Sequence, residues 1–244
     1  MAIQTNQNLY FYGSVLSNDR CMHYVQLYRF AASHFTSDFT YSKLREESEK
    51  NNVLSNGAIR TFIPIFKGLG FVDYESGGLF SFKEDGHLFY HIQSALMAAK
   101  DLDEKRDAVC ALLEDAKFRL ILKGLVFLYK LDDDNSRKFQ IIIQLLNRFN
   151  EVSLSEYLYA VNYSLENDTL DFDKLNDIIQ ECRNSGHIED VYSWNSRAEQ
   201  YEPTKDTATS YLKDLLRTAR LIEDSDAQKI VASSLLPSFI SMLS

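Results

Sequence analysis

The stretch Ser55–His91 reads SNGAIRTFIPIFKGLGFVDYESGGLFSFKEDGHLFYH. Apolar residues recur at Ile59, Phe62, Ile63, Phe66 and Leu69, the spacing of one helix face. Gly68 and Gly70 stop that helix, because glycine takes positive φ at little steric cost. Phe71–Tyr74 and Leu79–Phe82 read as strands, with Glu75-Ser76-Gly77-Gly78 as the turn between them. A helix followed by a hairpin is the second half of a winged helix. The helix is then the expected recognition helix and the hairpin the expected wing. Pro64 removes a helical hydrogen bond and crowds the preceding turn. Either the helix kinks there, or an irregular segment precedes a shorter helix beginning near Ile63.

Opposite the apolar stripe lie Asn56, Arg60, Pro64 and Lys67. Asn and Arg are the side chains that read adenine and guanine edges in a major groove, and Lys67 is placed to hold a phosphate. Thr61 beside Arg60, and Lys83 at the end of the hairpin, complete the first set of candidate DNA contacts. The competing reading is a solvated helix face, or a protein-docking face, since winged helices serve both ends.

Upstream, Leu9–Val15 is aromatic enough for a short strand, and Asn18 or Asp19 is placed to cap a helix. Its apolar stripe is Cys21, Tyr24, Val25, Tyr28, Ala31, Ala32 and Phe35. Thr40 or Ser42 caps a second helix that runs to Lys50. Downstream, Asp85-Gly86 closes the hairpin, and His87–Lys100 and Leu102–Leu131 are helical, the latter with a break expected at Lys123-Gly124. Asp132–Ser136 is a polar break, read as a solvated linker with a helix cap rather than a metal site.

The pattern then restarts. Phe139–Phe149 is a strongly apolar helix, and Ser153 and Glu156 have capping-box spacing before the next one. Asp171–Arg183 and Thr204–Arg220 follow as helices, separated by a polar loop over 184–202 with Trp194 and then Pro203. Leu221–Glu223 and Lys229–Ala232 read as a second wing. Lys205, Ser210, Lys213, Arg217 and Arg220 are the candidate DNA contacts of the second recognition helix; the last four form an outward basic stripe, diluted by Asp206 and Asp214. The expected fold is therefore mainly α with small β-hairpins, as tandem winged-helix modules. The first spans 1–100, a helical linker 101–136, and the second 137–244.

The chain has 244 residues, 45% of them hydrophobic and 13% aromatic, ample for packed cores. No apolar run reaches membrane-spanning length, and the N-terminus lacks the basic and apolar regions of a signal peptide. Cys21, Cys110 and Cys182 are scattered and odd in number, which fits reduced, buried thiols and a cytoplasmic location. The net charge of −9 counts against non-specific nucleic-acid binding. Residues 1–100 are neutral, and the whole excess of acid lies beyond them.

No phosphate-binding GxxxxGK[ST] loop, GxSxG elbow or CxxC pair occurs. His87 and His91 are four apart but lack a third ligand. Asp103-Glu104-Lys105 and Asp115-Ala116-Lys117 sit on predicted helices without the hairpin that a Mg²⁺-dependent nuclease centre needs. No catalytic centre and no cofactor are assigned to this chain.

The segment FQIIIQLLNRFNEVSLSEYLYAVNYSLENDTLDFDKLNDIIQECR, with DTATSYLKDLLRTARLIED after it, resembles the DNA-recognition region of AlwI-type restriction and nicking endonucleases. There an apolar helix leads to a Ser-bearing turn, then an aromatic helix, then one ending as Ile178-Ile179-x-x-Cys182-Arg183 does here. RTFIPIFKGLGFVDY is similar to the recognition domains of FokI-like type IIS enzymes, where Leu-Gly-Phe ends a helix before a wing. The resemblance implies double-stranded DNA as partner and a separate nuclease domain or subunit, which would bring its own Mg²⁺. The chain stops just after the second wing, so the cutting part is expected elsewhere. The alternative is a tandem winged-helix scaffold for protein–protein interaction.

Overall fold

The computed structural model describes residues 11–12, 15–99, 106–185, 205–223 and 229–243. They form a mainly helical protein with small antiparallel two-stranded sheets. Contacts divide the chain into two compact units, Tyr12–Leu128 and Tyr129–Ser244 with Met1–Phe11. The short strand expected over Leu9–Val15 lies largely outside the described residues, and Phe11, Tyr12 and Val15 are not in a strand.

The first unit runs α1 (Asn18–His34), α2 (Tyr41–Lys50), α3 (Asn56–Gly68), β1 (Val72–Asp73), β2 (Ser81–Phe82), α4 (Glu84–Ala99) and α5 (Arg106–Tyr129). Side-chain oxygens start the first three helices. Ser17, not Asn18 or Asp19, caps α1, accepting from the Arg20 N–H. Thr40 and Ser55 do the same for α2 and α3. On α1, Leu27 is buried and Ala32 is exposed, so the inner stripe is narrower than its apolar spacing implied.

Helix α3 is one helix with Pro64 inside it. Ile59, Phe62, Ile63, Ile65 and Phe66 are all fully buried. At about 1.5–3 kcal/mol each, their burial outweighs the ~3 kcal/mol cost of an interior proline. The helix ends in a left-handed turn. Gly70 sits at φ 73°, its N–H donates to the Lys67 carbonyl (2.9 Å), and the Phe71 N–H donates to that of Phe66 (2.9 Å).

The hairpin is shorter than its alternation implied. Val72 pairs with Phe82 and Asp73 with Ser81. Its turn is closed by Gly78 N–H to the Glu75 carbonyl (3.0 Å), with Gly77 at φ 74°. A bridge joins Thr40 to Leu79, and Phe80 N–H donates to the Phe39 carbonyl (2.8 Å). The segment before α2 is thereby tied to the returning side of the hairpin.

Two glycines read as stops are close-packing sites. Gly86 lies within α4, where an added Cβ would stand 2.0 Å from the Phe71 carbonyl oxygen. Gly124 lies within an unbroken α5, where a Cβ would stand 3.0 Å from Leu69. Residues 106–128, read as linker, belong to this unit as most of α5. Its core is a ring cluster: Tyr24 lies 4.4 Å from Phe66 and 5.3 Å from Phe89, and Phe71 5.1 Å from Phe89.

The second unit runs α6 (Asp134–Phe149), β3 (Glu151–Ser153), α7 (Leu154–Glu166), α8 (Phe172–Ser185), α9 (Lys205–Thr218), β4 (Lys229–Val231) and α10 (Leu236–Ser241). Within the acidic run, Asp133 caps α6 by accepting from the Ser136 N–H (2.7 Å). Ser153 and Glu156 form the full capping box of α7. The polar loop, including Trp194 and Pro203, lies outside the described residues.

Segment 221–223 pairs with 229–232 through the Ile222–Ala232 bridge and the Glu223 N–H to the Val231 carbonyl (2.9 Å). The turn 224–228 lies outside the described residues. Strand β4 has a second partner that the sequence did not announce: β3, with Glu151 opposite Val231 and Ser153 opposite Lys229. No helix among the described residues is long and apolar enough to cross a membrane. Cys21 is buried, and burial pushes its thiol pKa up to about 11; Cys110 and Cys182 are only half-buried.

Candidate functional site

In the first unit the outer side of α3, the start of α2 and the hairpin form one polar and aromatic face. Arg60 is exposed on it, and makes no hydrogen bond or ion pair among the described residues. Thr61 is exposed, with its hydroxyl turned back to the Ala58 carbonyl (2.7 Å). Asn56 opens the helix. Its N–H donates to Glu49 Oε1 (3.2 Å), and its Oδ1 accepts from Arg45 Nη1 (3.1 Å).

The remaining two candidates, both lysines, are engaged within the protein. Lys67 donates to the Tyr74 carbonyl and lies 4.6 Å over the Tyr74 ring. Lys83 pairs with Asp73 across the hairpin at 3.0 Å. That hydrogen bond holds the Asp73 carboxyl below its ordinary pKa, slight burial opposing.

Three residues of this face escaped the sequence reading. Tyr41 and Tyr74 stack at 4.2 Å, and the Arg45 guanidinium lies 4.8 Å from the Tyr41 ring. Burial, then the neighbouring Tyr74, raises the Tyr41 pKa, so its phenol stays protonated and donates to the Ile59 carbonyl (3.3 Å). The spacing of Tyr41 and Arg45, four apart on a helix, was a signal that they share a face.

In the second unit the expected basic stripe does not form as read. Helix α9 ends in the same turn as α3: Arg220 takes φ 53°, its N–H donates to Arg217, and the Leu221 N–H donates to Leu216. Leu216 thus stands where Phe66 does, Arg217 where Lys67 does and Arg220 where Gly70 does. Counting back, Lys213 falls at the place of Ile63 and Ser210 at that of Arg60. Lys213 is accordingly buried rather than outward, with its ammonium donating to the Lys229 carbonyl (3.3 Å). Arg217 is half-buried and pairs with Asp214 at 3.2 Å. Ser210 is half-buried, Arg220 is exposed, and the Lys205 side chain lies outside what is described.

Among the described residues no group of three or more His, Cys, Asp or Glu is arranged to hold a metal ion. His87 is exposed, with Nδ1 2.5 Å from the Tyr28 hydroxyl. Comparison of the chain with protein-family models, with curated proteins and with solved structures finds no significant match.

Proposed function

We propose that this chain recognises double-stranded DNA sequence-specifically, through two winged-helix modules in tandem. In this reading it is the specificity part of a type IIS-like restriction or nicking endonuclease, whose cutting centre and Mg²⁺ belong to a separate nuclease domain or subunit. One repeated pairing carries the proposal. In each unit the segment just before a second helix pairs with the returning strand of a hairpin that follows a later helix: Thr40 with Leu79, and β3 with β4. That connectivity is how a winged helix holds its wing against its helix-turn-helix. The shared left-handed ending of α3 and α9, each just before its hairpin, supports the same reading.

Arg60 and Asn56 are the principal readers in the first module, at the N-terminal part of the recognition helix where base edges are met. Lys67 and Lys83 brace the wing instead of gripping phosphate. The link to restriction enzymes rests on sequence resemblance alone.

A second reading, a protein-docking role, is favoured by the second unit. Its α9 carries Arg217 tied to Asp214 and Lys213 turned inward, and residues beyond 100 hold all the net negative charge. Selection from a randomised duplex pool at several salt concentrations separates the two. Enrichment of one short asymmetric site, weakened by about 1–3 kcal/mol in Arg60→Ala at unchanged melting temperature, supports DNA recognition. Absence of both enrichment and salt-dependent binding moves the function to protein docking.

A further inference from the structure

Arg45 does not lie on the proposed recognition helix, yet three contacts fix its guanidinium at the start of it. Nη1 donates to Asn56 Oδ1 (3.1 Å), Nη2 donates to Ser42 Oγ (3.3 Å), and the planar group lies 4.8 Å from the Tyr41 ring. Arginine carries only donors, so the amide atom that meets it must be the oxygen of Asn56. The direction of that amide is set by chemistry and not by a choice between two similar atoms.

An asparagine free to turn offers one acceptor and one donor side by side, which is the match for adenine N6 and N7. With Oδ1 held by a cation, Asn56 presents its Nδ2 hydrogens, which have no protein partner among the described residues. A donor-only group fits an acceptor-rich edge. Guanine, with O6 and N7 together, is the richest in the major groove, and the cytosine amino group is the poorest match.

We propose that Arg45 is a specificity-determining positioning residue, which locks Asn56 as a donor and so makes the first module prefer guanine over adenine at the base pair Asn56 faces. This rests on the DNA-recognition reading above. Removing the lock returns both faces of the amide to Asn56 and moves the preference toward adenine. Arg45→Met keeps much of the apolar stem over Tyr41 and removes the donors. Arg45→Lys keeps a donor-only cation.

The test is duplex-pool selection with the full chain and with Arg45→Met, Arg45→Lys, Asn56→Ala and Asn56→Asp, each checked for an unchanged melting temperature. The native chain is expected to select guanine at one position. Asn56→Ala flattens that position alone. Arg45→Met shifts it toward adenine by on the order of tenfold. Arg45→Lys retains guanine. Asn56→Asp, which pairs with Arg45 but has no donor, loses it. Selection of a site whose base preferences do not change in Arg45→Met overturns the proposal while leaving DNA recognition standing. So does a site indifferent to Asn56→Ala. Failure of the native chain to select any duplex overturns both.

Discussion

Lys67, near the end of α3, donates to the backbone carbonyl of Tyr74 and caps the face of the same ring at 4.6 Å. One side chain therefore fastens the helix to the hairpin that follows it. Its charge is spent on a carbonyl and a π-face. Lys67→Ala is expected to lower stability by about 1–2 kcal/mol, since it removes a charged hydrogen bond and a cation–π contact together. If the chain binds duplex DNA as proposed, the slope of affinity against salt should stay as it is. A variant with native melting temperature and a salt slope reduced by about one would return Lys67 to a phosphate role.

Glu156, at the start of α7, is held by three hydrogen bonds. It accepts from the Ser153 N–H at 2.7 Å and from Arg183 at 2.5 and 2.9 Å. Burial raises its pKa, but the hydrogen bonds from Arg183 and Ser153 more than offset this, and the folded value lies below the ordinary 4.5. The stability it contributes is therefore present above about pH 4.5 and lost as pH falls through the folded value. Glu156→Gln should cost about 1–3 kcal/mol at neutral pH, discounted because Arg183 is partly exposed. Urea melts at pH 7 and pH 3 should show the gap between native and variant chains narrowing in acid. An equal gap at both would remove the ionic contribution.

Lys138 is buried on α6, and burial lowers its pKa to about 8, against the pull of Asp134 and Asp133. A folded value below the ordinary 10.5 means that the unfolded chain binds more protons between the two. The native chain should gain stability across that window relative to Lys138→Met. The difference between the two chains should change by on the order of 1–3 kcal/mol across that window. Thermal melts of both from pH 7 to 10.5 check this, and a constant difference across the range would contradict it.

Gly86 and Arg220 should respond oppositely to exchange. Gly86→Ala places a methyl group 2.0 Å from the Phe71 carbonyl and 2.5 Å from the Tyr24 hydroxyl, so α4 must shift. The expected cost is about 1–3 kcal/mol or more. Arg220 holds a left-handed conformation at φ 53° that Gly70 occupies freely at the end of α3. Arg220→Gly should raise stability by up to about 1 kcal/mol. Differential scanning calorimetry of the two variants, moving in opposite directions from the native chain, is the expected result.

Much of the helical architecture was legible in the residues themselves. The stripe Ile59, Phe62, Ile63, Phe66 and Leu69 is buried as its spacing required, because helical periodicity is a local property. Ser153 and Glu156 form their capping box because both partners lie within a single turn. Gly70 and Gly77 take positive φ where turns were read.

Contacts between distant segments were not legible. That α3 runs on through Pro64 was favoured by five buried side chains, Phe62 and Phe66 among them packing on rings of α1. That Gly86 is a packing site and not a stop depends on the backbone of Phe71 lying against α4. Strand β3 was silent because its partner comes from residues 229–231, and three residues carry too little alternation to announce a strand. Lys213 read as outward because a polar residue at helical spacing from Arg217 normally is. A carbonyl from Lys229 gives its ammonium a partner inside, while the apolar stem packs. Local sequence determined where helices start, stop and hide their apolar faces. Which charged side chains remain free to meet a ligand was decided by the acceptors that folding brought beside them, some only a hairpin or a helical turn away, since a lysine or arginine is reach and donors, and the nearest acceptor in space claims it.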